Sequence, residues 1–158
     1  MAERYRVGFI GTGARSCSYA RPYLQQDDLE IVAIADPSAQ HRATMLQRVG
    51  LGGEVAQYDD WRELLNGGHE LDGVVITSPN HTHPEPAVAC FELGLPVALE
   101  KPLAHTKEAC ERIIDAERAN DGRSLLGFVL RSAPFHHTIQ RLISEGAIGR
   151  LVSLQADE

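Results

Sequence analysis

Short apolar runs alternate with helical patterns along almost the whole chain, and this alternation restricts the possible folds more than any other feature. Strands are predicted over residues 6–10, 29–35, 54–58, 71–77, 96–99 and 124–130. Segments with helical periodicity separate them, which favours parallel pairing because each connecting helix can cover one face of the sheet. The sequence therefore predicts an α/β protein with a doubly wound, mostly parallel sheet in the strand order 3-2-1-4-5-6.

The first two connecting helices have recognisable starts. The first is predicted over residues 14–26. The second begins after Ser38, a residue type that caps helices well. Its predicted inward face carries Ala39, Ala43 and Leu46, which follow one another at helical spacing.

Composition and charge exclude several classes of function. The chain has 15 Lys and Arg residues against 22 Asp and Glu, a formal charge of −7, so no nucleic-acid partner is expected. Its 3 cysteines form no Cys-x-x-Cys pair, which argues against a disulfide framework and favours a reducing compartment. No apolar run is long enough to span a membrane, and the N-terminus carries no signal-peptide core. We therefore expect a soluble, cytoplasmic protein with no membrane partner.

A glycine-rich turn joins the first predicted strand to the first helix, and it reads Gly11-Thr12-Gly13-Ala14-Arg15-Ser16. Glycine at position 11 permits a tight turn, and glycine at position 13 lets a pyrophosphate approach N–H groups at the positive end of the helix. Ser16 stands where this pattern usually has glycine or alanine, and it is small enough for close packing. We interpret residues 11–15 as cofactor-binding; the alternative is a plain turn.

An acidic residue closes the second predicted strand. Asp36 follows the last position of the turn motif by 20 residues, the spacing at which a carboxylate accepts hydrogen bonds from a ribose. Its negative charge would repel a 2′-phosphate, so NAD is favoured over NADP. His41 and Arg42 leave an alternative open, because they could supply a cation to an adenosine end that is arranged differently. The alternative for Asp36 is a helix cap.

A polar loop follows the fourth strand, where ligands bind in folds of this class. Residues 77–83 read Thr-Ser-Pro-Asn-His-Thr-His, and such small and polar groups could line a nicotinamide. His81 and His83 have the His-x-His spacing of some metal sites, but no Cys or carboxylate cluster accompanies them, so no metal is predicted. Capping or a surface contact is the alternative for both, and also for His136 and His137.

A charged tripeptide, Glu100-Lys101-Pro102, follows the fifth strand. A lysine at the carboxyl edge of a sheet, beside a cofactor, can stabilise an alkoxide or exchange a proton with a substrate hydroxyl. The alternative is a solvated lysine on a loop, and the tripeptide alone does not decide between the two.

These motifs together resemble the glucose–fructose oxidoreductase / inositol dehydrogenase (Gfo/Idh/MocA) family. The most specific part is residues 94–103, Gly-Leu-Pro-Val-Ala-Leu-Glu-Lys-Pro-Leu, with which Gly11-x-Gly13 and the 77–83 loop agree. The resemblance implies a Rossmann domain, NAD(P) as cofactor, and hydride transfer between nicotinamide and a carbohydrate or polyol carbon. It also implies that Lys101 is catalytic, that Glu100 orients it, and that the Lys101–Pro102 peptide bond is cis.

The resemblance further implies a set of cofactor contacts. With the turn residues and Asp36, the cofactor-binding positions are Ser78, Pro79, Asn80, His83, Glu100, Lys101 and Arg131. Asn80 and His83 are expected near the nicotinamide.

A second domain is predicted to begin near the end of the chain. A helix is expected over residues 133–144 and a strand over 151–155. An unpaired edge strand exposes its hydrogen-bonding groups, so we interpret the chain as the front part of a larger protein. The predicted domains are a dinucleotide-binding domain over residues 1–131 and, over 132–158, the crossover helix and first strand of a truncated α+β substrate domain.

The resemblance places the remaining catalytic Asp and His in the second domain, so the fragment alone is expected to be inactive. The intact protein is expected to be a homo-oligomer that acts on a carbohydrate or polyol. The alternative function is a non-catalytic NAD(P)-sensing regulator or scaffold on the same fold. The intact Glu100-Lys101-Pro102 tripeptide favours the enzyme, because a regulator has no need of it.

Overall fold

A six-stranded parallel sheet forms the centre of the protein in the computed structural model, which describes residues 4–155. The strands are β1 (Tyr5–Ile10), β2 (Leu29–Ala35), β3 (Ala56–Tyr58), β4 (Gly73–Ile76), β5 (Val97–Leu99) and β6 (Ser124–Leu126). They lie in the order β3-β2-β1-β4-β5-β6, and every neighbouring pair is parallel. The predicted doubly wound fold and its strand order are confirmed.

Six α-helices accompany the sheet. They are α1 (Ser16–Tyr23), α2 (Ala39–Val49), α3 (Trp61–Asn66), α4 (Pro84–Glu92), α5 (Lys107–Ala119) and α6 (Pro134–Ser144). Short 3₁₀ turns occupy Asn80–Thr82 and Val129–Ser132. Among residues 4–155, no helix is both long and apolar enough to cross a membrane.

The core lies in two layers, one on each face of the sheet. On one face, strand residues pack against Phe91 of α4 and Ile113 of α5. On the other face they pack against Ala20 of α1 and Met45 of α2. Because both faces of the central strands are covered, these strands are apolar on both sides, as parallel sheets require.

The inward face predicted for α2 is wrong at two of its three positions. Leu46 is buried as expected, but Ala39 and Ala43 are exposed, and Met45 is buried beside Leu46. The observed orientation of α2 removes more apolar surface from water than the predicted one, because Met45 is much larger than an alanine.

Two predicted strands also differ from the structure. The sixth ends at Leu126 rather than at residue 130, because its neighbour β5 is only 3 residues long and its last pair is Leu99↔Leu126. Residues 151–155 form no strand in the part of the chain that the structure describes. A strand needs a neighbour for its backbone groups, and the described sheet ends at β6.

The chain divides into two compact units, Met1–Gly127 and Phe128–Glu158. The first contains the whole sheet and α1 to α5. The second contains α6, none of whose residues is buried. The domain boundary expected after residue 131 remains a prediction.

Candidate active site

Three loops meet at one edge of the sheet, because the carboxyl ends of neighbouring parallel strands lie side by side. They are the glycine-rich turn after β1, the loop after β4 and the loop after β5. This edge is where ligands bind in doubly wound sheets. It brings together all the site residues predicted within the first unit.

The glycine turn is pressed against the loop after β4. Gly11 has a φ of +86°, and a Cβ on it would overlap the backbone of Ser78. The Thr77 hydroxyl, which is buried, donates a hydrogen bond of 2.7 Å to the Gly11 carbonyl. Only glycine satisfies both the positive φ and the close approach, so this turn has one permitted residue at position 11.

The next part of the turn is open, in contrast to Gly11. No atom lies within 4 Å of the position that a Cβ on Gly13 would take. The backbone N–H groups of Gly13, Ala14 and Arg15 have no hydrogen-bond partner within residues 4–155, and neither has the buried Thr12 hydroxyl. Unpaired donors at the start of α1 are what an anionic diphosphate requires, so the turn fits the diphosphate of a dinucleotide.

Ser16, the departure from the usual motif, has a local role. Its side chain is buried, and its hydroxyl donates a 2.7 Å hydrogen bond to the Gly13 carbonyl. The serine therefore stabilises the turn from inside.

Asp36 lies directly beside the glycine turn. Its carboxylate accepts hydrogen bonds from the Thr12 N–H, at 2.8 Å, and from the Ser38 N–H, at 2.9 Å. The side chain is 11% exposed. A carboxylate has about four acceptor positions, so two remain for the hydroxyls of a ribose.

The two cations that follow Asp36 are placed differently from each other. Arg42 donates to the Asp36 carbonyl and forms an ion pair of 2.7 Å with Asp59, and its side chain is largely buried. His41 is exposed, and its ring nitrogen lies 3.5 Å from the Asp36 carboxylate. Arg42 is therefore engaged by protein groups.

The loop after β4 exposes some of its polar residues and buries others. Pro79 and Asn80 are exposed and Ser78 is half-buried, so these three can reach a ligand. His83 is 0% exposed, and all the hydrogen-bonding partners of its ring nitrogens are backbone carbonyls. The side chain of His83 thus lies inside the protein, and its expected position near the nicotinamide remains a prediction.

Glu100 is a buried carboxylate at the end of β5. It accepts hydrogen bonds from the Lys101 N–H and from the Arg15 guanidinium. The Tyr19 hydroxyl lies near this carboxylate, and burial and then the charge of Glu100 raise the pKa of Tyr19. Lys101 itself is exposed, and the Lys101–Pro102 peptide bond is cis, as expected.

Sequence reasoning missed Tyr19 and the Thr77 hydroxyl as parts of this site. A signal for Tyr19 exists, because it follows Arg15 by one helical turn and both therefore face Glu100. Thr77 offers no such signal, since its partner Gly11 is distant in the sequence.

Arg131 belongs to the second unit. Its guanidinium lies over the Phe128 ring, 4.8 Å from the centroid, and its carbonyl contacts the His137 ring. Its predicted contact with the cofactor remains a prediction. Within residues 4–155 no group of three or more His, Cys, Asp or Glu side chains could hold a metal ion.

Comparisons with known proteins agree with this geometry. A family model for an oxidoreductase family with an NAD-binding Rossmann fold, Gfo/Idh/MocA, matches residues 5–128. The chain is 33% identical over 155 residues to inositol 2-dehydrogenase of Azotobacter vinelandii, and the match covers 94% of this chain and 44% of that protein. The chain thus spans less than half the length of this curated relative.

Solved structures show the same fold. An NAD-binding oxidoreductase from Klebsiella pneumoniae is similar with a TM-score of 0.77 and 30% identity, covering 92% of this chain and 40% of that one. Myo-inositol 2-dehydrogenase from Lactobacillus plantarum is similar with a TM-score of 0.85 over 95% of this chain and 44% of that one, at 19% identity. Since the family model matches well over half of its residues, the chain belongs to the Gfo/Idh/MocA oxidoreductase family, whose NAD-binding Rossmann domain it contains.

Proposed function

We propose that the chain is the NAD(H)-binding part of a dehydrogenase that acts on a polyol or a sugar. The observation that carries this proposal is the row of unpaired N–H groups at Gly13, Ala14 and Arg15, directly beside the Asp36 carboxylate. Phosphate and ribose are the two ligand groups that these donors and acceptors suit. The names of the relatives, inositol 2-dehydrogenases, supply the substrate class.

NAD is the preferred cofactor in this proposal. The Asp36 carboxylate would lie close to a 2′-phosphate and repel it. Arg42, the nearest cation with little exposure, already pairs with Asp59 at 2.7 Å, so it is not free to compensate. His41 is the remaining cation, and it carries charge only when protonated.

Lys101 is the proposed catalytic residue, and Glu100 orients the segment that carries it. A nicotinamide bound beside them would supply the hydride chemistry at the substrate carbon. The neutral Lys101 amine takes the hydroxyl proton in oxidation, and the ammonium returns that proton in reduction. Ser78, Pro79 and Asn80 line the nicotinamide side of the cleft.

The intact protein extends this domain. Residues 1–131 form the dinucleotide-binding domain, and residues 132–158 begin a domain that binds the carbohydrate or polyol and adds the remaining catalytic groups. Arg131 is proposed to contact the cofactor in the intact protein. The intact protein is proposed to be a cytoplasmic homo-oligomer.

Titration of this chain with NADH and NADPH tests the proposal. We expect tighter binding of NADH, and Asp36→Asn should reduce the ratio of the two affinities because it removes the charge that repels the 2′-phosphate. Asp60→Asn is the matched control, since it removes a carboxylate from the loop after β3 without touching the glycine turn or the pair of Arg42 with Asp59, and asparagine caps α3 as well as aspartate does. Equal affinities in the wild type, or an unchanged ratio in Asp36→Asn, would contradict the assignment.

A further inference from the structure

His83 connects the two loops that carry the candidate catalytic and nicotinamide-side residues. Its Nε2 atom lies 2.8 Å from the Ser78 carbonyl oxygen, in the loop after β4. Its Nδ1 atom lies 3.2 Å from the carbonyl oxygens of Pro102 and Leu103, in the loop after β5. The side chain is 0% exposed, so water cannot take part in these contacts.

All three partners are hydrogen-bond acceptors, and this restricts the protonation state of the ring. A neutral imidazole has one N–H donor and one nitrogen lone pair. In either neutral tautomer, one lone pair would therefore face a carbonyl oxygen inside the protein, without a proton between them. Only the imidazolium, with a proton on each nitrogen, donates to both loops.

The charged groups near His83 do not compete for these contacts. Ionisable side chains on its own and the flanking elements include Lys101, His81, Glu85, His105 and Arg112, with Glu92 at the end of α4, Glu100 before Lys101 and further charged residues along α5. Within residues 4–155 none of these side chains is a hydrogen-bond or ion-pair partner of the His83 ring. Glu85 and Arg112 pair with each other at 3.3 Å on the surface, and the exposed rings of His81 and His105 contact each other edge to face. The start of α4 opposes a positive charge on the ring, but three carbonyl dipoles point at the ring nitrogens themselves.

We propose that His83 is a positioning residue that acts as a buried imidazolium, donating to Ser78 on one side and to Pro102 and Leu103 on the other. Lys101 immediately precedes the segment that the ring holds. Protonated His83 thus fixes the distance between the nicotinamide-side loop and the lysine. The inference rests on the proposed function only in its consequence for Lys101, because the ring contacts exist without a cofactor.

Ring-nitrogen NMR of the histidine-labelled chain tests the protonation state directly. Near neutral pH, His83 should show two protonated ring nitrogens. His69 is an internal reference, because its Nε2 lies 2.6 Å from the Tyr58 hydroxyl, a group that can both donate and accept. One unprotonated nitrogen on His83 in the folded protein would overturn the proposal.

The positioning role needs a readout at Lys101. The chain has only two lysines, Lys101 and Lys107, so ¹³C-dimethylation gives one signal from each besides that of the N-terminal amine, and the methylated amines keep their charge. Lys107 is 82% exposed on α5 and serves as the reference. NADH should shift the Lys101 signal in the wild type and in the control variant His81→Gln. In His83→Gln, whose amide donates from one nitrogen only, this shift should be lost.

The possible outcomes separate the inference from the proposed function. A Lys101 shift that persists in His83→Gln overturns the positioning role. If NADH shifts neither lysine in the wild type, the proposed role of Lys101 fails, whereas the ring-nitrogen result still decides the link between the loops. If His83→Gln does not fold, the wild type is titrated with base, and loss of a ring proton should abolish the Lys101 shift at the same pH. If the His83 ring proton and the Lys101 shift are lost at different pH values, the proposal is overturned.

Discussion

The two glycines of the turn predict opposite responses to the same substitution. Gly11→Ala places a Cβ at a φ of +86° and against the backbone of Ser78. The left-handed conformation costs about 1–2 kcal/mol for an alanine, and the overlap adds about 1–3 kcal/mol of strain. We therefore expect the free energy of unfolding to fall by about 2–5 kcal/mol, a large part of the stability of an ordinary domain.

Gly13→Ala is the matched variant, because its Cβ would meet no atom within 4 Å. Its free energy of unfolding should stay the same or rise by up to about 1 kcal/mol, as the unfolded chain loses freedom. Its NADH affinity should nevertheless fall, because the methyl group occupies the open space that the diphosphate is proposed to use.

Urea unfolding, followed by the fluorescence of the single tryptophan, Trp61, measures both stabilities. With a slope of about 2 kcal/mol per molar urea, the Gly11→Ala midpoint should fall by roughly 1–2.5 M. Isothermal titration with NADH measures the second effect. Unchanged stability of Gly11→Ala, or wild-type NADH affinity of Gly13→Ala, would refute the reasoning about the turn.

Three further predictions concern the buried Cys90, the hydrogen bond from Thr77 to the glycine turn, and the dehydrogenase activity of this chain. Burial raises the pKa of the Cys90 thiol to about 12, so mass spectrometry after alkylation at mildly alkaline pH should find Cys110 modified before Cys90. Because the fold favours the neutral Cys90 thiol, this contribution to stability is present below the ordinary thiol pKa and lost as the pH rises towards 12. Thr77→Val should lower the free energy of unfolding by about 1–3 kcal/mol, because the buried Gly11 carbonyl loses its donor. The exposed control Thr82→Val should change the free energy of unfolding by less than about 0.5 kcal/mol in the same urea assay. This chain alone should show no multiple-turnover NADH production with polyols or sugars, since catalysis needs a positioned reacting pair; sustained turnover would contradict the assignment of missing groups to a second domain.

The sheet could be predicted from the sequence because each of its determinants is local. Apolar runs mark the strands, and the helical segments between them impose parallel pairing, so the strand order follows from general rules of connection. The same logic places Gly11, Asp36 and Lys101 at one edge, since each follows the end of a strand. That prediction needs no knowledge of side-chain packing.

The features that the sequence did not predict are those that depend on tertiary packing. The orientation of α2 is decided by how much apolar surface Met45 can bury, which helical spacing alone does not weigh. The contact between Arg15 and Glu100 joins residues 85 positions apart, so no local pattern reveals it. The buried position of His83 likewise depends on the carbonyls of two separate loops.

The contact between the glycine turn and the loop after β4 also bears on the kinetics of cofactor binding. Thr77 and Ser78 hold Gly11 so closely that the two walls of the cleft keep one relative position without a ligand. A preorganised cleft loses little conformational entropy on binding and needs no slow rearrangement beforehand. Dinucleotide association with this domain should therefore be a single fast phase whose observed rate rises linearly with ligand concentration.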